Sequence, residues 1–171
     1  MLGVAGSAVR AMGTLAELGQ ASTAANRIAS LLEQPLPLGK GTLTGDLAVP
    51  PQNASSDMVR SFARQNESAQ TLANYGLKVE QLPETGTPGG NPDLKINGSL
   101  ADVYAPTSKN VQTIADTLAY KVQQQAPNIV INLNDSILTS SQIIQQLLTT
   151  PVPGLNSVYF IKNGITTLVK F

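Results

Sequence analysis

The spacing of apolar and polar positions divides the chain near residue 55. Before it, Leu15, Leu18, Ile28, Leu31 and Leu32 mark a weakly amphipathic helix interrupted by Gly13 and Gly19 and stopped by Pro35 and Pro37. Leu38 to Asn53 carries Gly39, Gly41, Gly45, Pro50 and Pro51 and reads as linker. After it the pattern sharpens. Ser55 or Ser56 caps a helix whose stripe is Met58, Phe62, Ala69, Leu72 and Ala73, with Gly76 as its stop. Leu77 to Leu82 alternates as a strand. Asp93 to Ile96 and Ser99 to Tyr104 are short strands about Asn97-Gly98, a pair of residues suited to a two-residue hairpin turn. A helix beginning at Pro106 to Ser108 follows, with Val111, Ile114, Ala115, Leu118 and Val122 on one stripe. Ile129 to Leu133 is a buried strand, Ser140 to Leu148 a helix, and Val158 to Ile161 and Ile165 to Val169 flank a second turn at Asn163-Gly164. The expected fold is α/β (α+β), a mixed sheet flanked by helices in the order α-β-ββ-α-β-α-ββ. It occupies residues 55–171 behind a helical tail and Gly/Pro-rich linker over 1–54.

Composition narrows the chemistry. The 171 residues include no histidine and no cysteine. That excludes Ser-His-Asp triads, histidine-based ribonuclease mechanisms, thiol nucleophiles and thiolate or imidazole metal sites. Charged residues are only 13% of the chain, with 11 basic and 11 acidic, so no overall basic footprint for nucleic acid is present. Leu2 to Leu18 carries Arg10 and Glu17 and falls short of the roughly 20 apolar residues a membrane helix needs. No basic stretch precedes it, so neither a signal peptide nor stable membrane association is expected.

The hairpin places acids together. With Asn97-Gly98 as its loop, Ile96 opposes Ser99, Lys95 opposes Leu100, Leu94 opposes Ala101 and Asp93 opposes Asp102. Opposed residues share a face with Cβ atoms about 4.5–5.5 Å apart. Leu94, Ile96, Ala101 and Val103 form the apolar, core-facing side, leaving both aspartates on the other. Adjacent carboxylates repel unless a cation or a shared proton offsets the repulsion. Two other residues join the argument. Lys121 lies at the margin of its helix's apolar stripe, near Ile114 and Leu118, and can reach inward past the sheet edge. Glu67 lies beside the stripe margin of the first helix. Alone, each reads as a solvated helix residue; with the two aspartates they have the order of a metal-dependent nuclease core. Oxygen ligands suit Mg²⁺ or Mn²⁺, and Zn²⁺ less well.

A resemblance sharpens this reading. Asn91-Pro92-Asp93-Leu94-Lys95-Ile96-Asn97-Gly98 followed by Ala101-Asp102-Val103-Tyr104-Ala105-Pro106 resembles the C-terminal tRNase toxin domain of CdiA proteins, the effectors of contact-dependent growth inhibition. Arg64-Gln65-Asn66-Glu67-Ser68-Ala69, Ile131-Asn132-Leu133 with Asp135-Ser136, and Gln146-Leu147-Leu148 ahead of Pro151 continue it in order over about residues 56–171. The resemblance implies a PD-(D/E)XK nuclease-like fold. It also implies a site of Glu67, Asp93, Asp102 and Lys121, in which Asp93, Asp102 and Glu67 hold a divalent ion; Gln65 and Asn66 are neighbouring alternatives to Glu67. No acid-x-lysine follows Asp102, Tyr104 standing at the lysine place. The implied activity is tRNA cleavage by metal-dependent hydrolysis, within a secreted or cell-surface bacterial effector that acts in the cytoplasm of the target cell. The implied partners are tRNA and a cognate immunity protein; the small margin of basic residues calls for either a local basic patch or a host factor presenting the tRNA. An acidic inhibitor covering the cleft near Lys95 and Lys121 is expected on grounds of charge. Residues 1–54 are expected to be dispensable for cleavage. Two other readings remain open: a non-enzymatic interaction or immunity module, and a metal-independent ribonuclease of the barnase-like kind.

Overall fold

In the computed structural model, residues 25–171 are described, except 26, 30, 31, 86–89 and 125. Eight strands form one sheet: β1 (Gln34–Pro35), β2 (Thr42–Thr44), β3 (Lys78–Gln81), β4 (Leu94–Ile96), β5 (Ser99–Tyr104), β6 (Asn128–Asn132), β7 (Ser157–Lys162) and β8 (Ile165–Lys170). Among the described residues, three helices with complete bounds accompany them: α1 (Ser56–Asn74), α2 (Val111–Gln124) and α3 (Ser140–Thr149). The strand order is β1-β8-β7-β6-β5-β4-β3-β2. At its centre β5, β6 and β7 run parallel, as helical crossovers through α2 and α3 require. Tight hairpins make β4–β5 and β7–β8 antiparallel.

The apolar residues sort by strand alternation. Ile129 and Ile131 of β6 join Ile114 and Leu118 of α2 and Ile143, Ile144 and Leu147 of α3 in one core. Val130 points to the other face and joins Ala69, Leu72 and Ala73 of α1 with Val79, Leu94, Ile96 and Val103. The sheet is therefore a layer between α1 on one side and α2 and α3 on the other. A mixed sheet flanked by helices is present. The expectation of a helix over much of residues 1–33 lies largely outside the described residues.

Both hairpins turn where expected. Asn97 and Gly98 have φ of 51° and 87°, and Asn163 and Gly164 have φ of 50° and 75°. A two-residue turn with both central φ values positive matches the twist of its flanking strands, and Asn-Gly adopts it with little strain.

Two local expectations are corrected. The helix expected from Pro106 begins only at Val111, because Asn110 supplies the cap: its Oδ1 accepts from the Gln112 backbone N–H at 2.9 Å. The stretch read as linker before residue 55 contributes to the sheet. β2 lies parallel to β3, and β1, just ahead of it, closes the opposite edge against β8. Gly41 makes this docking sterically feasible. A Cβ there would fall 2.1 Å from the Leu77 carbonyl oxygen, so only glycine allows the approach. Within the described residues, no helix is long and apolar enough to cross a membrane.

Candidate active site

Where β4 begins and β5 ends, the sheet opens into a cavity of about 460 Å³. The first half of α1 walls it with Asp57, Arg60, Ser61, Phe62 and Gln65. Asp93 and Asp102, the stretch from Val103 to Ser108, and Lys121 from α2 complete most of the lining. The hairpin register is Leu94↔Ala101, Lys95↔Leu100 and Ile96↔Ser99. Asp93 lies one residue before β4. Its carboxylate accepts from the Val103 backbone N–H at 2.8 Å, a bond that fixes the acid's direction.

Asp102 is 1% exposed, and the Lys121 Nζ donates to its carboxylate at 2.5 Å. Helical spacing explains how the lysine arrives: Ile114 and Leu118 bury the same face of α2, and Lys121 comes one turn later. Asp93 responds to this crowding. Its carboxyl is pushed up to about 9, first by burial, then by a hydrogen bond and charge repulsion from Asp102; the Val103 N–H and Lys121 oppose the shift. At neutral pH Asp93 therefore keeps its proton, which removes the repulsion the hairpin register implies.

Glu67 is not brought to this cavity. Its carboxylate accepts from Arg64 at 2.6 Å, from Asn134 at 2.9 Å and from Asn132 at 3.1 Å. At about 100° per residue, Glu67 stands some 200° round α1 from Gln65, so the two cannot face one opening. Gln65 lines the cavity in its place. The sequence contains a trace of this: Gln65 falls seven residues before Leu72, on the buried stripe where a polar residue is out of keeping. Lys95 is likewise absent from the lining. It faces Glu80 across the β3–β4 pair, Nζ to Oε2 3.8 Å.

Arg60 was not anticipated as a site residue. Its guanidinium bridges Asp57 and Asp135 and donates to the Ala105 carbonyl at 3.0 Å, so α1 holds the lip of the cavity in place. Tyr104, at the position of the missing lysine, is part of the wall.

The ionisable lining contains Asp57, Glu84, Asp93 and Asp102 against Arg60 and Lys121. This excess of acid suits a bound cation better than a bare polyanion. Among the described residues no group of three or more acidic side chains gathers as a ready metal cage. The donor set here is two carboxylates, which are hard oxygen ligands. That fits Mg²⁺ or Mn²⁺, which are commonly held by one or two carboxylates and otherwise by water and phosphate; it fits Zn²⁺ less well.

The profile described as "Contact-dependent growth inhibition CdiA C-terminal domain" matches residues 90–166, the stretch that carries Asp93, Asp102 and Lys121. A chain of the CdiA-CT/CdiI toxin and immunity complex from Burkholderia pseudomallei is 42% identical, with a TM-score of 0.69 over 77% of this chain and 100% of that one. The chain belongs to the CdiA C-terminal domain family. A protein described as tRNA nuclease CdiA-2, from Burkholderia pseudomallei strain 1026b, is 41% identical over 151 residues, 87% of this chain. This CdiA C-terminal domain spans about 5% of that relative's length. The mixed α+β fold with its eight-stranded sheet is thus that of a CdiA C-terminal domain, and its aspartate pair and lysine meet in one cavity.

Proposed function

We propose that this CdiA C-terminal domain is an antibacterial toxin that cleaves tRNA by metal-dependent phosphodiester hydrolysis, on a PD-(D/E)XK-like arrangement with its lysine supplied from a helix. The single observation carrying the reading is the Asp93–Asp102–Lys121 cluster at the floor of the cavity. Asp93 and Asp102 are the residues to hold a divalent ion. Such an ion, when bound, lowers the pKa of a coordinated water and polarises a phosphate oxygen. The chain's own contributions are positional and electrostatic. The Val103 N–H orients Asp93. Asp102 holds Lys121 over the cleft, where its ammonium meets the charge that develops on the phosphate as the water oxygen bonds to phosphorus and the ester oxygen leaves.

The substrate assignment follows the related tRNA nuclease CdiA-2, and the toxin–immunity complex supports a cognate immunity protein as partner. Expected delivery is on a cell-surface effector, with action in the target cytoplasm. Because Lys95 pairs outside the cavity and the lining is acid-rich, an inhibitor relying on acidic residues would need Lys121 and Arg60 as its counterparts.

The test is incubation of the purified chain with tRNA in Mg²⁺, in Mn²⁺ and in chelator. Cleavage dependent on the ion and abolished by Asp102→Asn is expected; no cleavage with either ion overturns the reading. One observation favours a second mechanism. An Asp93 carboxyl protonated at neutral pH is a ready general acid, and undiminished cleavage in chelator would establish that metal-independent route.

A further inference from the structure

Among the described residues that line the cavity is a buried donor that the cluster leaves unused. Gln65 is 5% exposed, and its Nε2 has no hydrogen-bond partner. The other strong donors nearby are engaged: Arg60 with Asp57, Asp135 and the Ala105 carbonyl, Lys121 with Asp102, and the Val103 N–H with Asp93. A carboxamide nitrogen carries two N–H donors and no acceptor. Leaving it buried and unpaired is a standing destabilisation, and such groups in folded proteins call for an explanation. Packing alone offers none, since methionine or leucine would fill the same stripe of α1 without it.

The Nε2 itself is closed off from solvent, so an incoming ligand can satisfy the donor once the side chain turns toward the opening that Gln65 lines. What it requires is an acceptor, and the group that must enter this cavity for the proposed reaction is a phosphate diester with two non-bridging oxygens. Gln65 is suited to it in charge as well. A neutral donor adds nothing to the repulsion between Asp93 and Asp102 and does not compete with a cation for them. A glutamate at the same point would bring a third anion and no donor at neutral pH.

We propose that Gln65 is a catalytic residue of this site, its Nε2–H donating to a non-bridging oxygen of the phosphate being cut. The proposal rests on the phosphodiesterase reading above. It extends that reading from the charged cluster to a neutral donor on α1 that becomes paired only when substrate is bound. A donor whose bond strengthens as charge develops on that oxygen acts on the rate of the chemical step more than on affinity.

The test compares the full chain with its Gln65→Met and Gln65→Glu variants, each near in shape to glutamine and lacking the N–H. Single-turnover tRNA cleavage is measured in Mg²⁺ or Mn²⁺, tRNA binding in chelator, and thermal melting alongside. Both variants are expected to cut about 10²-fold more slowly, the size of effect typical of one lost oxyanion donor. The Met variant should bind tRNA within about twofold of wild type and melt no lower. A phosphorothioate of one configuration at the mapped cut should slow the wild type and leave Gln65→Met unaffected. Wild-type cleavage rates in either folded variant overturn the role of Gln65. So does a rate loss that merely tracks lost melting temperature in both. A wild-type chain that cuts no tRNA with either ion overturns the reading beneath, and this proposal with it.

Discussion

Lys121 Nζ stands 2.5 Å from an Asp102 oxygen, in a pair whose acid side chain is 1% exposed and whose lysine is 21% exposed. The asymmetry sets the expected response to mutation. Without its lysine, Asp102 remains a buried carboxylate beside Asp93; without Asp102, the lysine can turn toward solvent. Lys121→Met should therefore destabilise by about 3–5 kcal/mol, the usual range for breaking a buried pair from one side. Asp102→Asn should cost far less, since it leaves no buried carboxylate behind and the freed lysine is already part-exposed. The double variant should recover most of the loss, while all three lose cleavage. Urea unfolding of the four proteins checks this; additive losses would contradict it.

Asp93 makes stability depend on pH. Its carboxyl is raised to about 9 in the folded chain, against about 3.9 when unfolded. Between those values the native state holds a proton that the unfolded state has released, so stability falls as pH rises from about 4 to about 9. Asp93→Asn removes the titration while keeping an oxygen for the Val103 N–H. In chelator, the variant should gain on wild type steadily from pH 5 to pH 8, by at most about 1.4 kcal/mol per pH unit. Denaturant midpoints across that range provide the measurement, and a constant difference would sink the assignment of the proton to Asp93.

Asp135 has the opposite sign. Arg64 and Arg60 both donate to it, at 2.6 Å and 2.9 Å for the closest contacts. These bonds hold its carboxyl well below the usual carboxylate range. A folded-state value below the unfolded one contributes stability that is present above about pH 4 and lost as pH falls toward the folded value. Asp135→Asn should destabilise by about 1.5–3 kcal/mol near pH 7, the range for hydrogen bonds to charged groups, with the difference narrowing below pH 4. Because Arg60 also holds the Ala105 carbonyl at the cavity lip, cleavage should fall several-fold at temperatures where the variant remains folded. Thermal melts at pH 7 and pH 3 decide the sign.

The hairpin shows why part of the site was legible in the sequence. Asn97-Gly98 permits one two-residue turn, that turn sets the register, and the register brings Asp93 to Asp102. Lys121 was legible from helical spacing, because Ile114 and Leu118 already define the buried face of α2. Glu67 was not. Residues 65 to 67 of α1 are all polar, and only the seven-residue spacing of Gln65 from Leu72 hints at which of them shares the buried face. The groups that claim Glu67, Asn132 and Asn134, come from β6 and the turn after it, far along the chain. The edge strands were missed for a different reason. Gln34, Pro35, Thr42 and Thr44 are exposed, so β1 and β2 leave little trace in a hydrophobic pattern and exist chiefly through backbone pairing.

That pairing changes the expected consequence of removing the first 54 residues. Gly39, Gly41 and Thr42 donate backbone N–H groups to the carbonyls of Asn74, Ala73 and Leu77, and Leu43 packs against the α1-side core. Asn66 in α1 exchanges two hydrogen bonds with Ala48, each 2.9 Å. A chain beginning at Ser55 loses all of these and leaves β3 as a bare edge. At about 1 kcal/mol for each bond and 1–2 for Leu43, the loss is about 6–7 kcal/mol, comparable with the whole stability of a small domain. Such a chain should melt far below one beginning at Glu33 and cut tRNA only at low temperature. Gly41→Ala in the full chain isolates the same contact, because its methyl would fall 2.1 Å from the Leu77 oxygen and 2.6 Å from that of Ala73. β2 must then detach, and the variant should approach the truncated chain in melting temperature while keeping every residue of the cavity lining. If the chain from Ser55 melts with the longer one, β2 contributes nothing to the fold and cleavage is independent of it.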